Sequence, residues 1–288
     1  MTLTRSDVTD LLARHGLHPS RALGQNFVVD PNTVRRIARL AGVGPGDRVV
    51  EIGAGLGSLT LALLETGAAV TAVEVDRHLV GPLREVVEPA GATVVEGDAL
   101  RLDWGALLGD GTWDLVANLP YNVATPLVAD LLDGVPAIRT MLVMVQREVG
   151  ERLAAGAGED AYGAVSVKVA YWATAKVVGK VGPTVFLPQP KVDSALVAIE
   201  RRSSPAVDPA VVGPDRLFSV VRAGFGQRRK MLRRSLLGVV APDAFEAAGV
   251  APEARPEELD VVAWGRLAAH PAPDGMPPGP SAGRERTT

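Results

Sequence analysis

Asn118-Leu119-Pro120-Tyr121, followed at once by Asn122, closes a short apolar run that begins at Trp113. A side-chain amide, a proline-stiffened turn and an exposed aromatic at the tip of a strand suit one task, which is to grip a flat ring bearing an amine. The amide accepts from the amine and the aromatic stacks on the ring. Four residues of this kind carry weight here because a nucleotide-binding pattern lies upstream and basic segments lie on both sides.

The upstream pattern is Val49-Val50-Glu51-Ile52-Gly53-Ala54-Gly55-Leu56-Gly57, an apolar strand running into a glycine turn. Glycines let the backbone approach a ligand without a side-chain clash, and a following helix adds free N–H groups and a positive dipole. The spacing is G-x-G-x-G, with Ser58 at the third position of a strict dinucleotide fingerprint. Glu74, about twenty residues on, falls where doubly wound folds accept from ribose hydroxyls. That much fits both NAD and S-adenosylmethionine. Asp98, after Val94-Val95-Glu96-Gly97, adds an acid behind a third strand, where it accepts from the adenine amine. Acids after strands two and three, then N-L-P-Y after strand four, favour S-adenosylmethionine. No His/Asp or Tyr/Lys set for a NAD dehydrogenase is evident.

These residues need a scaffold. Apolar runs at 48–52, 69–75, 93–96, 115–117 and 141–145 are expected as buried strands, with helices at 59–65, 77–87 (Pro82 a local blemish), 125–132, 147–154 and 160–173. This alternation predicts an α/β, Rossmann-like fold: a parallel sheet with helices on both faces. Segments 176–181 and 195–200 follow as late strands, expected to form an antiparallel hairpin. Asp30-Pro31 caps a helix whose inward face is Val34, Ile37, Ala38 and Ala41, with Arg35, Arg36 and Arg39 turned outward. Residues 1–22 are expected as a basic N-terminal arm with a short helix, and 23–200 as the methyltransferase domain. A Ser/Pro-rich linker opens a small all-α domain over 201–270, with helices at 214–223, 229–237, 242–248 and 256–270. Residues 271–288 are Pro/Gly/Ser-rich and expected to be disordered.

Composition narrows the chemistry. The chain has 288 residues, 47% of them hydrophobic, enough for a globular core. It has no cysteine, so disulfides, thiolate zinc sites and methyl transfer through a cysteine adduct are excluded. His15, His18, His78 and His270 are scattered and fit a solvated surface better than a metal site; no metal is expected. No apolar run reaches eighteen residues and the N-terminus has no signal-peptide core, so a cytoplasmic protein without a membrane span is expected. The net charge is −3, but Arg222, Arg228, Arg229, Lys230, Arg233 and Arg234 cluster with no acid among them. The excess of arginine over lysine suits phosphate contacts and equally suits a GC-rich genome.

Further motifs sharpen the picture. Leu23-Gly24-Gln25-Asn26-Phe27, E-I-G-A-G, V-E-V-D, E-G-D-A and N-L-P-Y-N, then Phe186-Leu187-Pro188-Gln189-Pro190-Lys191-Val192-Asp193-Ser194 and Phe225-Gly226-Gln227-Arg228-Arg229-Lys230, resemble the rRNA adenine N6-dimethyltransferases over roughly residues 20 to 270. Leu119, P-K-V-D-S and the Arg/Lys-rich segment make the chain similar to the small-subunit, KsgA/RsmA-type branch rather than the large-subunit antibiotic-resistance branch. Val28 stands where the family often has Leu, and Ala54 where it often has Pro. The resemblance implies transfer of two methyl groups from S-adenosylmethionine to N6 of each of two adjacent adenosines in a hairpin loop near the 3′ end of small-subunit rRNA. It implies Asn26, Val28, Gly53, Gly55, Glu74, Asp98 and Asn118 as donor-binding residues. Asn118, Leu119, Pro120 and Tyr121 are implied at the reacting amine, with Phe186 over the other face of the base. Arg35, Arg36, Arg222, Arg228, Arg229, Lys230, Arg233 and Arg234 are implied on RNA. The partner is then the immature small ribosomal subunit, met by a monomer. A large-subunit methylase, a DNA adenine methylase and a purely structural assembly factor are the competing expectations.

Overall fold

The computed structural model describes residues 2–20, 22–120 and 123–271. In chain order the elements are α1 (Arg5–Arg14), β1 (Phe27–Val28), α2 (Pro31–Ala41), β2 (Arg48–Ile52), α3 (Ser58–Leu64), β3 (Ala69–Glu74), α4 (Arg77–Val87) and β4 (Thr93–Glu96). There follow α5 (Trp104–Leu108), β5 (Trp113–Asn118), α6 (Ala124–Gly134), β6 (Ile138–Gln146), α7 (Arg147–Ala154), α8 (Ala164–Trp172), β7 (Ala173–Val181), β8 (Phe186–Leu187) and β9 (Ser194–Arg201). The C-terminal part holds α9 (Pro214–Gly226), α10 (Leu232–Ser235), α11 (Ala244–Ala247) and α12 (Val261–Ala268).

Seven strands form one sheet in the order β4-β3-β2-β5-β6-β9-β7. The first five are parallel, while β9 runs antiparallel to both β6 and β7. The sheet is therefore mixed, not wholly parallel. The late strands pair antiparallel as expected, but residues 182–193 between them carry β8 out of the sheet to pair with β1.

Strand residues alternate between two apolar layers. Val49, Val116, Leu142 and Met144 face Val34 and Ile37 of α2 and Leu59 and Leu63 of α3. Val50, Leu115, Met141 and Val143 face α6 through Leu127, Val128 and Leu131. Burial on both faces explains the near-continuous apolar strand sequences. Each such side chain, sealed from water, contributes about 1.5–3 kcal/mol.

Local signals set the ends of α2. The Asp30 side chain accepts from the Asn32 and Thr33 amides, Pro31 opens the helix, and Gly42 closes it at φ +68°. Pro82 is accommodated inside a continuous α4. The short α5, absent from the sequence expectation, starts at Asp103, whose carboxylate accepts from the Ala106 amide at 3.0 Å.

Segment 1–22 is not a free arm over its described part. Val8, Leu11 and Leu12 of α1 are buried against Phe27, Val29, Leu56 and Leu79. Arg14 and His15 reach Glu85 of α4 at 2.8 and 2.9 Å. The helix expected over 160–173 begins only at Ala164, where Gly163 caps it. Its Tyr171 and Val167, with Tyr162 before it, join the core of the C-terminal helices around Phe218, Leu232 and Trp264. The expected boundary near residue 200 is thus bridged by earlier sequence. Within the C-terminal part, 229–231 lies outside helix and α10 covers only Leu232–Ser235. The consecutive cations Arg228, Arg229 and Lys230 stay in an exposed turn. The helix expected over 256–270 is split at Asp260, whose carboxylate caps α12 through the Ala263 amide at 2.7 Å. Residues 272–288, expected to be disordered, lie outside the described residues.

Candidate active site

A cavity of about 270 Å³ opens at the C-terminal ends of β2, β3 and β5. Its floor is the turn between β2 and α3. Gly55 has φ +60° and a Cβ there would lie 3.0 Å from the Phe27 ring; Gly57 has φ +89° and its Cβ would lie 2.4 Å from Val87 of α4. Gly57 therefore takes the part of close helix packing that the third glycine plays in the strict fingerprint. That accounts for the G-x-G-x-G spacing and leaves Ser58 free to start the helix.

Glu74 ends β3 and is buried. Its Oε2 accepts from the Gly55 amide at 2.7 Å and its Oε1 from the Asp76 amide at 2.9 Å. Burial pushes its carboxyl up, against those backbone hydrogen bonds. A carboxylate oxygen has a second lone pair, so each remains able to accept from a ligand hydroxyl. Asp98, just past β4, accepts from the Leu100 amide at 3.0 Å and lies 3.7 Å from Arg101, with its side chain at the cavity rim.

Asn118 is the last residue of β5, opposite Met144 of β6. Its Nδ2 donates to the Asn26 carbonyl at 3.0 Å. Its Oδ1 has no partner among the described residues and stays the acceptor of the amide. The Leu119 amide donates to the Met144 carbonyl at 3.0 Å, and the Pro120 carbonyl accepts from Val123 and Ala124 at the start of α6. Asn118, Leu119 and Pro120 all line the cavity. Tyr121, the expected stacking residue, lies outside the described residues.

The roof comes from two distant segments. β1 and β8 pair antiparallel, with Val28 opposite Phe186. Asn26 Nδ2 donates to the Gly24 carbonyl at 3.0 Å, and Gln25 bridges the Ser20 amide and the Asp76 carboxylate at 2.7 and 2.8 Å. Gln25 thus ties the segment before β1 to the end of β3, a role that only the G-Q-N-F motif hinted at. Phe186 lines the cavity but is only 1% exposed, built into the wall instead of standing open at the mouth.

Glu51 was missed as a site residue. It lies inside the apolar strand β2, buried, and accepts from the Thr60 hydroxyl of α3 at 2.6 Å. Burial pushes its carboxyl up to about 8; the Thr60 hydrogen bond opposes this and the charge of Glu74 adds to it. The signal available in the sequence was an acid among Val49, Val50 and Ile52, one residue from the end of a strand.

The expected RNA-contacting cations separate into two groups. Arg35 pairs with Glu65 at 2.9 Å, Arg36 donates to the Lys180 carbonyl at 3.0 Å, Arg228 donates to the Asp160 carbonyl at 2.9 Å, and Arg233 pairs with Glu253 at 2.7 Å. The side chains of Arg222, Arg229, Lys230 and Arg234 are exposed and have no hydrogen-bond or ion-pair partner among the described residues. No group of three or more metal-capable side chains occurs among the described residues. No helix among them is long and apolar enough to cross a membrane.

The solved structure of the 23S rRNA methyltransferase ErmE is 28% identical to this chain, with a TM-score of 0.67, and the match covers 84% of this chain and 98% of that one. A dimethyladenosine transferase from Plasmodium falciparum shares the fold at a TM-score of 0.70 and 24% identity, over 83% and 94% of the two chains. Among curated proteins, the Ribosomal RNA small subunit methyltransferase A of Kineococcus radiotolerans is 48% identical over 93% of this chain and 91% of its own length. That of Streptomyces coelicolor is 49% identical over 92% and 95%. The profile of the family described as Ribosomal RNA adenine dimethylase matches residues 18–269. The chain is therefore a member of the ribosomal RNA adenine dimethylase family, a family of methyltransferases.

Proposed function

We propose that this protein dimethylates N6 of adenosines in small-subunit rRNA, using S-adenosylmethionine, and that its targets are two adjacent adenosines in the 3′-terminal hairpin loop. The relatives at 48–49% identity carry the name of a small-subunit methyltransferase, which favours that subunit over the large one. The observation that carries the chemistry is the hydrogen bond from Asn118 Nδ2 to the Asn26 carbonyl. It turns the amide so that Oδ1 is left to accept, in a cavity that also holds Glu74 and Asp98.

The donor set fits an adenosine-bearing sulfonium. Glu74 is held to accept from ribose hydroxyls and Asp98 from the adenine amine, while Gly53, Gly55, Asn26 and Val28 bring backbone against the methionine end. S-adenosylmethionine bound there supplies an electrophilic methyl group. The chain's own work is to prepare the nucleophile. The adenine N6 lone pair is delocalised into the ring. Asn118 Oδ1 and the Leu119 carbonyl accept from the amine, which draws nitrogen toward a tetrahedral shape with its lone pair on the methyl. Pro120 holds the turn so that both acceptors converge. Alignment of this kind supplies most of the acceleration. Tyr121 stacks on the base, for about 1–3 kcal/mol, and Phe186 backs the pocket wall. A loop adenine is extruded at lower cost than a paired one.

Arg222, Arg229, Lys230 and Arg234 are the cations best placed to meet the RNA backbone, with Arg35, Arg36, Arg228 and Arg233 behind them. The protein acts as a cytoplasmic monomer on immature small subunits. The test is incubation with labelled S-adenosylmethionine and undermethylated small subunits, followed by mass spectrometry of the digested rRNA. Dimethyladenosine at the paired positions is expected. No label in the small-subunit rRNA, or label without dimethyladenosine, overturns the reading.

A further inference from the structure

The Pro120 carbonyl accepts from the Val123 and Ala124 amides, so the Asn118 turn and the first turn of α6 are one hydrogen-bonded unit. A shift of α6 therefore shifts the acceptors. The apolar face of α6, Leu127, Val128, Leu131 and Leu132, packs into the sheet core. Apolar contact is non-directional and does not fix a helix along its own axis. Local caps do not fix it either. Val123 at the N-cap has no polar side chain, and the C-cap is Val135 instead of a glycine.

The far end of α6 is held from a distant part of the chain. Arg201 ends β9, and its half-buried guanidinium donates to the carbonyls of Leu131, Leu132, Val135 and Ile138 at 3.1, 2.8, 3.2 and 2.9 Å. Most carbonyls in the last turn of a helix lack a donor from within it. Asp133 lies in that same turn, where the helix dipole disfavours an acid. Its Oδ1 accepts from Trp172 Nε1 of α8 at 2.6 Å, and its Oδ2 pairs with Lys168 of α8. Its charge also offsets part of the cost of burying Arg201. The next residue, Arg202, donates to the Ala170 and Trp172 carbonyls of α8.

We propose that Arg201 is a positioning residue for methyl transfer: with Asp133 it fixes α6 along its axis from the far end, and so places Asn118 Oδ1 and the Leu119 carbonyl at the near end, roughly 16 Å away. It touches neither donor nor base. The proposal rests on the function read above.

The experiment is single-turnover methyl transfer to undermethylated small subunits at saturating donor and subunit, beside titration with S-adenosylhomocysteine and thermal melting. Arg201→Met keeps a long apolar side chain and loses the donors. It is expected to lower the saturated rate roughly tenfold, with S-adenosylhomocysteine affinity and half-saturating subunit concentration within about twofold of wild type. Arg201→Lys, with a compact ammonium in place of the planar fork, should recover part of that rate. Asp133→Asn keeps an acceptor for Trp172 and should lose rate in the same direction but less; it carries the test if Arg201→Met does not fold. Arg216→Met is the control, because Arg216 donates to the Val239 and His270 carbonyls, away from α6. It should lower the melting temperature and leave the saturated rate unchanged. An unchanged saturated rate in Arg201→Met, or in Asp133→Asn where the first does not fold, overturns the proposal. So does an equal loss of rate in Arg216→Met, or a loss confined to affinity. A wild type that methylates no small-subunit adenosine overturns the reading of function beneath it.

Discussion

The cleft and the exposed cations of the C-terminal part handle their polar groups in opposite ways. In the cleft, Glu74 and Asn118 are each fixed by a backbone partner before any ligand arrives. In the C-terminal part, the side chains of Arg222, Arg229, Lys230 and Arg234 stand in solvent without partners among the described residues. A small ligand of fixed shape rewards acceptors held in place. A polyanion rewards the number of charges delivered, and long mobile side chains deliver them without a set geometry. The cleft thus holds its polar groups in place, and the exposed cations leave theirs free to move.

The largest expected effect breaks the rigid side at its reacting end. Asn118→Ala should cost methyl transfer roughly 100-fold or more in single-turnover rate, with donor binding weakened far less. Equal losses in both would make Asn118 a donor-binding residue only. Next comes Glu74→Ala, which leaves the Gly55 and Asp76 amides without their acceptor. Donor binding should weaken by about 2 kcal/mol and thermal stability should fall with it, as read by titration and melting. Glu74→Gln, which keeps one acceptor, should fall between.

The adaptable side should respond in another currency. Arg229→Ala with Lys230→Ala should lower the slope of log affinity against log salt for small subunits by about 1.5, with the melting temperature unchanged. Arg228→Ala should instead cost about 0.5 kcal/mol of stability, because that guanidinium is tied to Asp160 and Glu257. If Arg228 and Arg229 behave alike in both measurements, the division into tied and free cations fails.

A separate test lies in the pH dependence of stability. The Glu51 carboxyl is raised in the folded protein to about 8, from an ordinary value near 4.5. Between those values the folded state holds more protons than the unfolded one, so stability without ligand falls as pH rises across that window. Melting temperatures from pH 5 to 8 should decline in the wild type and decline less in Glu51→Gln.

Much of this was legible in the sequence because it was written locally. Asp30-Pro31 and Gly42 announce α2 by capping chemistry, and the glycine turn with Glu74 follows from strand-end spacing. Other features depend on contacts between distant segments. The pairing of β1 with β8, the enclosure of Phe186 and the Gln25–Asp76 link join residues far apart in the chain. Glu51 was hidden because an acid inside an apolar strand gives no sign of what lies opposite, and here that is Thr60 on the next helix. The free or tied state of Arg228 and Arg229 was equally invisible, since neighbours of one residue type differ only in what folds beside them. The helix expected over 229–237 forms only at Leu232–Ser235, with Arg228, Arg229 and Lys230 in the turn before it.

The roof formed by Val28 opposite Phe186 has a consequence for how the protein comes into being. All five parallel strands, the glycine turn and the Asn118 turn precede Phe186 in the chain. A growing polypeptide makes this machinery before the β8 half of its cover. Until that late segment has been synthesised and has folded back onto β1, the cleft lacks its lid strand. A newly made chain therefore completes its cleft only after the β8 segment has been translated, and one terminated before Phe186 carries the reacting residues without that enclosure.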